Sequence, residues 1–514
     1  MSLFFETVRH LSLRQILTRA VRMAERAWWR LTAPPPLPWR PPVPADHRLL
    51  TAPEGSRLRG FQEQSFEWAR ELDAEAFRQA ARSWIEAHPH RRGDAWHPYP
   101  TSLRIASWCD ALSASDDDAG IRASLSAQAR FLARHLEHDV RGNHLLENAR
   151  ALVRAGAFLG DASLKARGLE VLRSEVPEQI LADGGHFERA PGYHVRVLEV
   201  LEDAARFVDA SWLRDAIVRM QAFLETITGP NGRLPLLKDT VMSNAPDGPS
   251  SVMKRREGST CSWLADSGFA VMRNGEDFLI ADFGRVCPDY LPAHAHADLF
   301  SFELTISDVP VIVDSGVFEY AEGEWRKWFR STAAHNTVEI DGRDQSEMWG
   351  SFRVGRRARP SRVVWTNEPS FTAISGEHDG YAPVLHHRTI VALHEARIWI
   401  VVDRVSGPAA HVARNFIHLH PDAEVPIIAP LGAAITESEG WYSERFGEKR
   451  RNRVLVLERA TPGSFGYVVS ANEMMSANLR DDGTDCVMDI ASLRWQGTIR
   501  VGPPGASPSV ERVR

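Results

Sequence analysis

Lysine, cysteine and long apolar runs are scarce in this chain. Its four cysteines, Cys109, Cys261, Cys287 and Cys486, show no C-x-x-C spacing, which excludes a disulfide scaffold and a thiolate zinc knuckle. No stretch reaches the apolar length of a membrane-crossing helix. The first thirty or so residues lack the uninterrupted apolar centre of a secretory signal, because arginines recur every few positions from Arg9 onward. Five lysines stand against 56 arginines, a bias that suits carboxylates and sulfates but also follows from codon usage. With a net charge of −6, a general nucleic-acid partner is not expected. What is present is enough for two globular domains: 514 residues, 43% hydrophobic and 25% charged, with 20 histidines and 16 tryptophans.

Three regions follow from the pattern. Residues 1–50 hold a basic amphipathic helix and a proline-rich strap. In the helix, Leu13, Ile16, Leu17, Ala20, Val21, Ala24 and Trp28 fall on one face, opposite Arg14, Arg19, Arg22 and Arg26. Such a helix either docks on the protein's own body, the preferred expectation, or makes peripheral contact with an anionic membrane. Residues 33–44 are dense enough in proline to form an extended spacer. Residues 51–250 read as successive helices with short polar breaks, over 66–87, 102–112, 121–136, 144–159, 163–176 and 194–208. Without a fixed-period repeat, helical hairpins arranged as a bundle, a solenoid or an α/α toroid are the expectation. Residues 251–514 change to short alternating or β-branched runs, at 278–282, 299–306, 309–313, 337–340, 398–402 and 415–420, the pattern of an antiparallel sandwich.

Several clusters carry chemical potential. Pro292-Ala-His-Ala-His-Ala-Asp298 sets His294 and His296 two apart, on one face if the segment is extended. Asp314 ends the next strand pair and His335 opens another, and two imidazoles with a carboxylate converging from neighbouring strands make a zinc site plausible on donor chemistry. A metallo-β-lactamase-like site needs a further histidine where Leu299 stands, and an amidohydrolase barrel needs helices alternating with strands. In the helical half, Asn143 and His144 open a helix, where Asn143 serves either as an N-cap or as a cleft donor. The stretch 183–194 packs His186, Glu188, Arg189, Tyr193 and His194 into nine positions of one glycine-rich loop, more titratable groups than packing needs.

In combination these motifs resemble the heparinase II/III family of polysaccharide lyases and its alginate-lyase relatives. The resemblance rests on Trp96-His-Pro-Tyr-Pro-Thr-Ser-Leu-Arg-Ile105 with Trp108, Gly142-Asn-His-Leu-Leu-Glu-Asn148 and Gly185-His-Phe-Glu-Arg-Ala-Pro-Gly-Tyr193. It continues in His294-Ala-His-Ala-Asp298, Val313-Asp-Ser-Gly316, Ala334-His-Asn-Thr337 and His378-Asp-Gly-Tyr381, in order over roughly 90–420. It implies an incomplete α/α toroid followed by a β-sandwich, with the active site between them.

The implied activity is β-elimination at a uronic acid. Asn143, with His294 as a second donor, would neutralise the substrate carboxylate so that the C5 proton becomes removable. Tyr193 would protonate the leaving oxygen and, on a syn route, also take the C5 proton, with His144 as the alternative base. Arg189, Glu188, Tyr99 and Arg104 are the implied substrate-binding residues. His296, Asp314 and His335 match the family's zinc positions, where the ion organises the cleft floor; the residue matching His335 is discussed as catalytic in some relatives. The lack of a clear signal peptide departs from secreted degraders. It points to a bacterial cytoplasmic or periplasmic protein acting on an acidic exopolysaccharide or capsule. Two other classes are weighed beside this one: a glycoside hydrolase using Glu188 and Asp239, and a non-catalytic glycan-binding or assembly protein. Oligomeric state is not legible.

Overall fold

The computed structural model describes residues 3–32, 39–44, 52, 56–113, 118–230, 232–242, 259–472 and 474–513. Helices α1 (Leu3–Val8) and α2 (Leu13–Thr32) precede the helical domain. That domain comprises α3 (Arg57–Ser65), α4 (Ala74–Ala87), α5 (Pro98–Ser113), α6 (Ala119–Arg134), α7 (Gly142–Leu159), α8 (Ala162–Gln179), α9 (Pro191–Ala205) and α10 (Ser211–Ile227). Aspartates start several of them: Asp73, Asp118 and Asp161 each accept a hydrogen bond from a backbone N–H of the first turn. The single helix expected over 66–87 is broken. Phe66 takes a left-handed conformation (φ 60°) that ends α3, and a 3-10 turn, Glu67–Glu71, separates it from α4.

The helices form an incomplete α/α toroid with α7 innermost, packed against α5, α6, α8 and α9. Every residue of α7 from Leu145 to Gly156 is buried, so its polar groups must pair inside. Arg150 meets Glu147 at 2.8 Å, Arg196 reaches Glu147 at 2.9 Å, and Arg154 reaches Asp203 at 3.0 Å. Close approach of α7 and α8 depends on Gly168, where a Cβ would lie 2.6 Å from the Ala149 carbonyl oxygen. Trp68, Trp84, Trp96 and Trp108 fill one end of the toroid with Phe66. From the strap, Trp39 stacks on Phe66 at 5.6 Å; residues 33–38 of the strap lie outside the described residues.

The described strands of the second half pair antiparallel, with an isolated parallel bridge between Gly316 and Ser443. A five-stranded sheet runs Ser259–Leu264, Phe269–Asn274, Asp277–Asp282, Phe302–Ile306 and Val309–Ile312, each strand beside the next. Its two faces bury in different places. Phe269, Val271, Phe278 and Ile280 belong to the toroid core, while Ala270, Met272, Leu279 and Ala281 belong to the sandwich core. Side-chain alternation along the strands thereby ties the two domains together. Beyond it lie a six-stranded sheet centred on Ile398–Ser406 and Val384–Leu393, and a four-stranded sheet that includes His411–His418 and Val338–Ile340. A last four-stranded sheet covers the outer face of the six-stranded one. The boundary expected at 250 falls within 243–258, outside the described residues; among the described residues the last toroid helix ends at Ile227 and the first strand begins at Ser259.

Helix α2 docks on the body, through its polar side. Gln15 is fully buried and donates to the Tyr290 carbonyl at 3.2 Å, and Arg22 reaches Asp139 at 2.8 Å.

Candidate active site

On the toroid wall, the residue before α7, Arg141, and the first residue of the helix, Gly142, both have positive φ (62° and 56°). Glycine is needed at 142, because a Cβ there would sit 2.6 Å from Glu188 Oε1. The N-cap is Arg141, without a side-chain cap bond, so Asn143 lies inside the helix and its amide is not spent on capping. His144 next to it points Nδ1 at Glu137 Oε1, 3.0 Å away, and stacks on Tyr99 with ring centroids 4.0 Å apart. Burial opposes a charge on His144, but the Glu137 carboxylate and its hydrogen bond outweigh it and raise the imidazole above its ordinary range. Burial pushes Glu137 the other way from what is found: His144 and its hydrogen bond hold it down at about 2. With Nδ1 engaged, Nε2 is the nitrogen available for proton transfer.

Tyr193, on the first turn of α9, is half-buried and stacked on His294 at 3.6 Å, and its hydroxyl lies 3.1 Å from that of Tyr320. Burial, then the neighbouring Tyr320 and Asp239, lift its pKa well above the usual phenol value. It is therefore a protonated phenol at neutral pH, equipped to give a proton.

The sandwich wall meets the toroid through a two-residue clasp. Lys238 and Asp239 aim at different partners, drawn from the end of the strand Asp277–Asp282, the loop 294–298 and the short helix Glu324–Phe329. Lys238 donates to Asp282 at 2.6 Å and to Asp298 at 3.0 Å. Asp239 accepts from His294 Nδ1 at 3.0 Å, from His296 Nε2 at 2.9 Å and from both arms of the Arg326 guanidinium. Despite the cost of burial, Arg326 and the two histidines hold the Asp239 carboxyl well below its usual range. The His294–Asp298 stretch is irregular rather than a strand, and its histidines share a direction because one carboxylate binds both.

Several expected roles are corrected by these positions. Arg104 is fully buried and donates to Gln128 at 2.8 Å, to the Gln64 carbonyl at 2.7 Å and to Thr101 at 3.2 Å, so it is a core residue that substrate cannot reach. Arg189 donates to the backbone carbonyls of Ser267 (3.0 Å) and Asp266 (3.1 Å); it fastens the toroid to the first sandwich hairpin and is not free to grip a carboxylate. Glu188, 2% exposed, accepts from the Asn143 backbone N–H at 3.3 Å and faces His294 Nε2 at 3.4 Å, so it positions its neighbours instead of touching substrate. His294 has a carboxylate at each ring nitrogen and supports Tyr193 through its stacked face, not as a second donor to substrate. Its imidazole also fills the space between Glu188 and Asp239, which removes the carboxylate pair a glycoside hydrolase would need. His186 and His194 bond Gln179 and the Met220 carbonyl within the core. Of the other expected site residues, Tyr99, His144 and Tyr193 are half-buried, whereas Asn143 is 3% exposed.

The three expected zinc ligands lie close together but are partly committed. His335 Nδ1 is 2.8 Å from Asp314 Oδ2, and the other Asp314 oxygen accepts from the Gly316 N–H at 3.1 Å. The rings of His296 and His335 are 5.2 Å apart, and His296 Nδ1 and His335 Nε2 are buried without a hydrogen-bond partner. Among the described residues no group of three or more His, Cys, Asp or Glu side chains is arranged to hold a metal ion. Two orphaned nitrogens fit an ion; the third donor, as placed, serves His335.

Glu137, Tyr320 and Arg326 do not stand out in the sequence, and Asp239 reads there only as a hydrolase carboxylate. No local motif marks them, since each acts across 7 to 127 positions of sequence. A charged Lys-Asp pair inside an apolar linker was the one available signal for Asp239.

The structure thus sets a tyrosine and a carboxylate-backed histidine on an α/α toroid braced by a β-sandwich. Residues 69–247 match the family model for the heparinase II/III N-terminus, and residues 256–464 that for the heparinase II/III-like C-terminal region. The chain belongs to the heparinase II/III family. It is 23% identical over 397 residues to a heparin-sulfate lyase of Bacteroides stercoris, covering 64% of this chain and 57% of the relative. With a heparin-sulfate lyase of Pedobacter heparinus it is 24% identical over 327 residues, 56% of this chain and 47% of the relative. This chain thus spans about half the length of these relatives. Among solved structures, heparinase III superposes with a TM-score of 0.71 at 17% identity, over 87% of this chain and 82% of that one. A Streptomyces coelicolor chondroitin AC lyase in complex with chondroitin sulphate superposes with a TM-score of 0.53 at 12% identity, over 96% and 89%. These likenesses show the shared fold.

Proposed function

We propose that this chain is a polysaccharide lyase that cleaves a uronic-acid-containing anionic polysaccharide by β-elimination. The observation that carries the reading is a His144 imidazole whose Nδ1 is taken by Glu137, on a helix packed against the one that carries the Tyr193 phenol. In the reaction, Asn143 donates to the substrate carboxylate and lowers the barrier to forming negative charge there. His144 Nε2 removes the C5 proton, the C4–O bond breaks as the C4=C5 double bond forms, and Tyr193 passes its proton to the departing oxygen. Tyr99 holds the His144 ring by stacking, and His294 holds that of Tyr193. The names of the relatives, heparin-sulfate lyases and a chondroitin lyase, support an acidic glycan. A bacterial exopolysaccharide or capsule with uronic acid presents the same reacting unit.

Zinc belongs to the same proposal. His296 and His335 would hold it, with Asp314 beside them, and it would brace the cleft floor; no chemical step passes through it. The two orphaned buried nitrogens support this, and metal analysis checks it: wild type should carry about one zinc per chain, and His296→Ala should not.

The test of activity is a panel of heparan sulfate, chondroitin sulfate and bacterial uronate polymers, read by ultraviolet absorbance of the unsaturated product. Absorbance gain on at least one polymer is expected. Shortening of a polymer to saturated ends, without that gain, would overturn the reading.

A further inference from the structure

Helix α2 is docked the opposite way round from an ordinary surface helix. A helix on a soluble protein turns its apolar stripe to the core. Here the polar side faces the body. Arg22 caps the end of α6 by donating to the carbonyls of His135 (3.2 Å) and Leu136 (3.1 Å), and Arg19 donates to the Asp139 carbonyl at 3.3 Å. The apolar side is left outward: Leu13, Leu17, Val21 and Met23 are 79%, 66%, 57% and 70% exposed, and Ile16 40%. Preceding it, α1 adds Phe4, 66% exposed, while Thr7 fastens that helix to Val354 and Trp349 at 3.2 and 3.1 Å. A contiguous apolar strip of this kind on an otherwise polar surface marks a contact site.

The charge around the strip selects the occupant. The α2 sequence holds five arginines and one glutamate, within a chain of net charge −6. The local field is visible at His138, which burial and then Arg14, Arg167, Arg141 and Arg22 push down to about 4. A second copy paired through the same face would set arginine-rich helices against each other. No described helix is long and apolar enough to cross a membrane.

We propose that α1 and α2 anchor the protein on the surface of an anionic lipid bilayer, with the Leu13–Ile16–Leu17–Val21 face among the acyl chains and Arg14, exposed although one arm contacts His138 at 2.9 Å, at headgroup level. The anchor lies beside the cleft, because the residues that hold α2, 135 to 139, lead directly into Asn143 and His144. Glycan at a membrane surface is then the substrate brought to the site.

Co-sedimentation of the full chain with phosphatidylglycerol-rich and with pure phosphatidylcholine vesicles tests this independently of the lyase reading. The wild type should pellet with the anionic vesicles and be released by high salt. Leu17→Glu with Val21→Glu should lower partitioning on the order of tenfold or more, with an unchanged melting midpoint and unchanged activity on soluble polymer. Leu17→Ser alone, if the double variant melts early, should give a smaller loss in the same direction. Wild type left in the supernatant with anionic vesicles, variants that bind as the wild type does, or a lipid-free dimer split by the same substitutions would each overturn the proposal.

Discussion

The two walls of the cleft use the same residue types differently. On the toroid wall, His144 and Tyr193 are partly open, and each has only one end tied, to Glu137 or to Tyr320. On the sandwich side the histidines are buried and each has a nitrogen engaged: His294 and His296 by Asp239, His335 by Asp314, His418 by the Ala333 carbonyl. Deeper still, His386 joins His378 at 2.9 Å and Asp403 at 2.7 Å, in a network completed by Arg388. A fully buried histidine tied to a carboxylate holds geometry; a half-buried one with a free ring nitrogen can move a proton. In the proposed reaction the toroid supplies the groups that move protons and the sandwich holds them in position.

Substitutions separate the two. Asp239→Asn should do the most damage to stability, because it leaves Arg326, 1% exposed, without its counter-charge; breaking such a pair costs about 3–5 kcal/mol. Thermal and urea unfolding would show it, and a variant as stable as the wild type would deny the clasp its role. Asn143→Ala should leave the melting point near that of wild type yet lower kcat by about a hundredfold to a thousandfold, measured with saturating polymer. Glu137→Gln is a subtler change. A base must be deprotonated to act, and Glu137 raises His144, so activity in the wild type is lost as pH falls through that raised pKa. Removing the carboxylate should carry this acidic limb to lower pH; an unmoved limb would mean that His144 is not the base.

Much of this organisation is legible in the residue pattern. Three-and-four spacing locates the toroid helices, and alternation locates the strands that bury one face on each domain. Phe66 breaks an expected helix because its left-handed backbone is set by the packing of the tryptophan cluster, which spacing does not encode. The paired histidines are grouped correctly for a different physical reason: a strand would have placed them on one face, whereas a buried carboxylate gathers them from an irregular loop. Arg104 sits inside a matching motif and proves to be core, since a motif records packing as well as chemistry. Arg326 and Tyr320 are illegible because their partners lie 87 and 127 positions away.

The central claim is that the Tyr193 hydroxyl delivers the proton while the sandwich only holds the ring in place. Tyr193→Phe keeps the stacked ring and removes that proton. Measured as unsaturated product formed on a polymer that both forms bind, its rate should fall by about a hundredfold to ten-thousandfold with binding and melting point retained. Release of unsaturated product by the Tyr193→Phe variant at the wild-type rate would contradict the account.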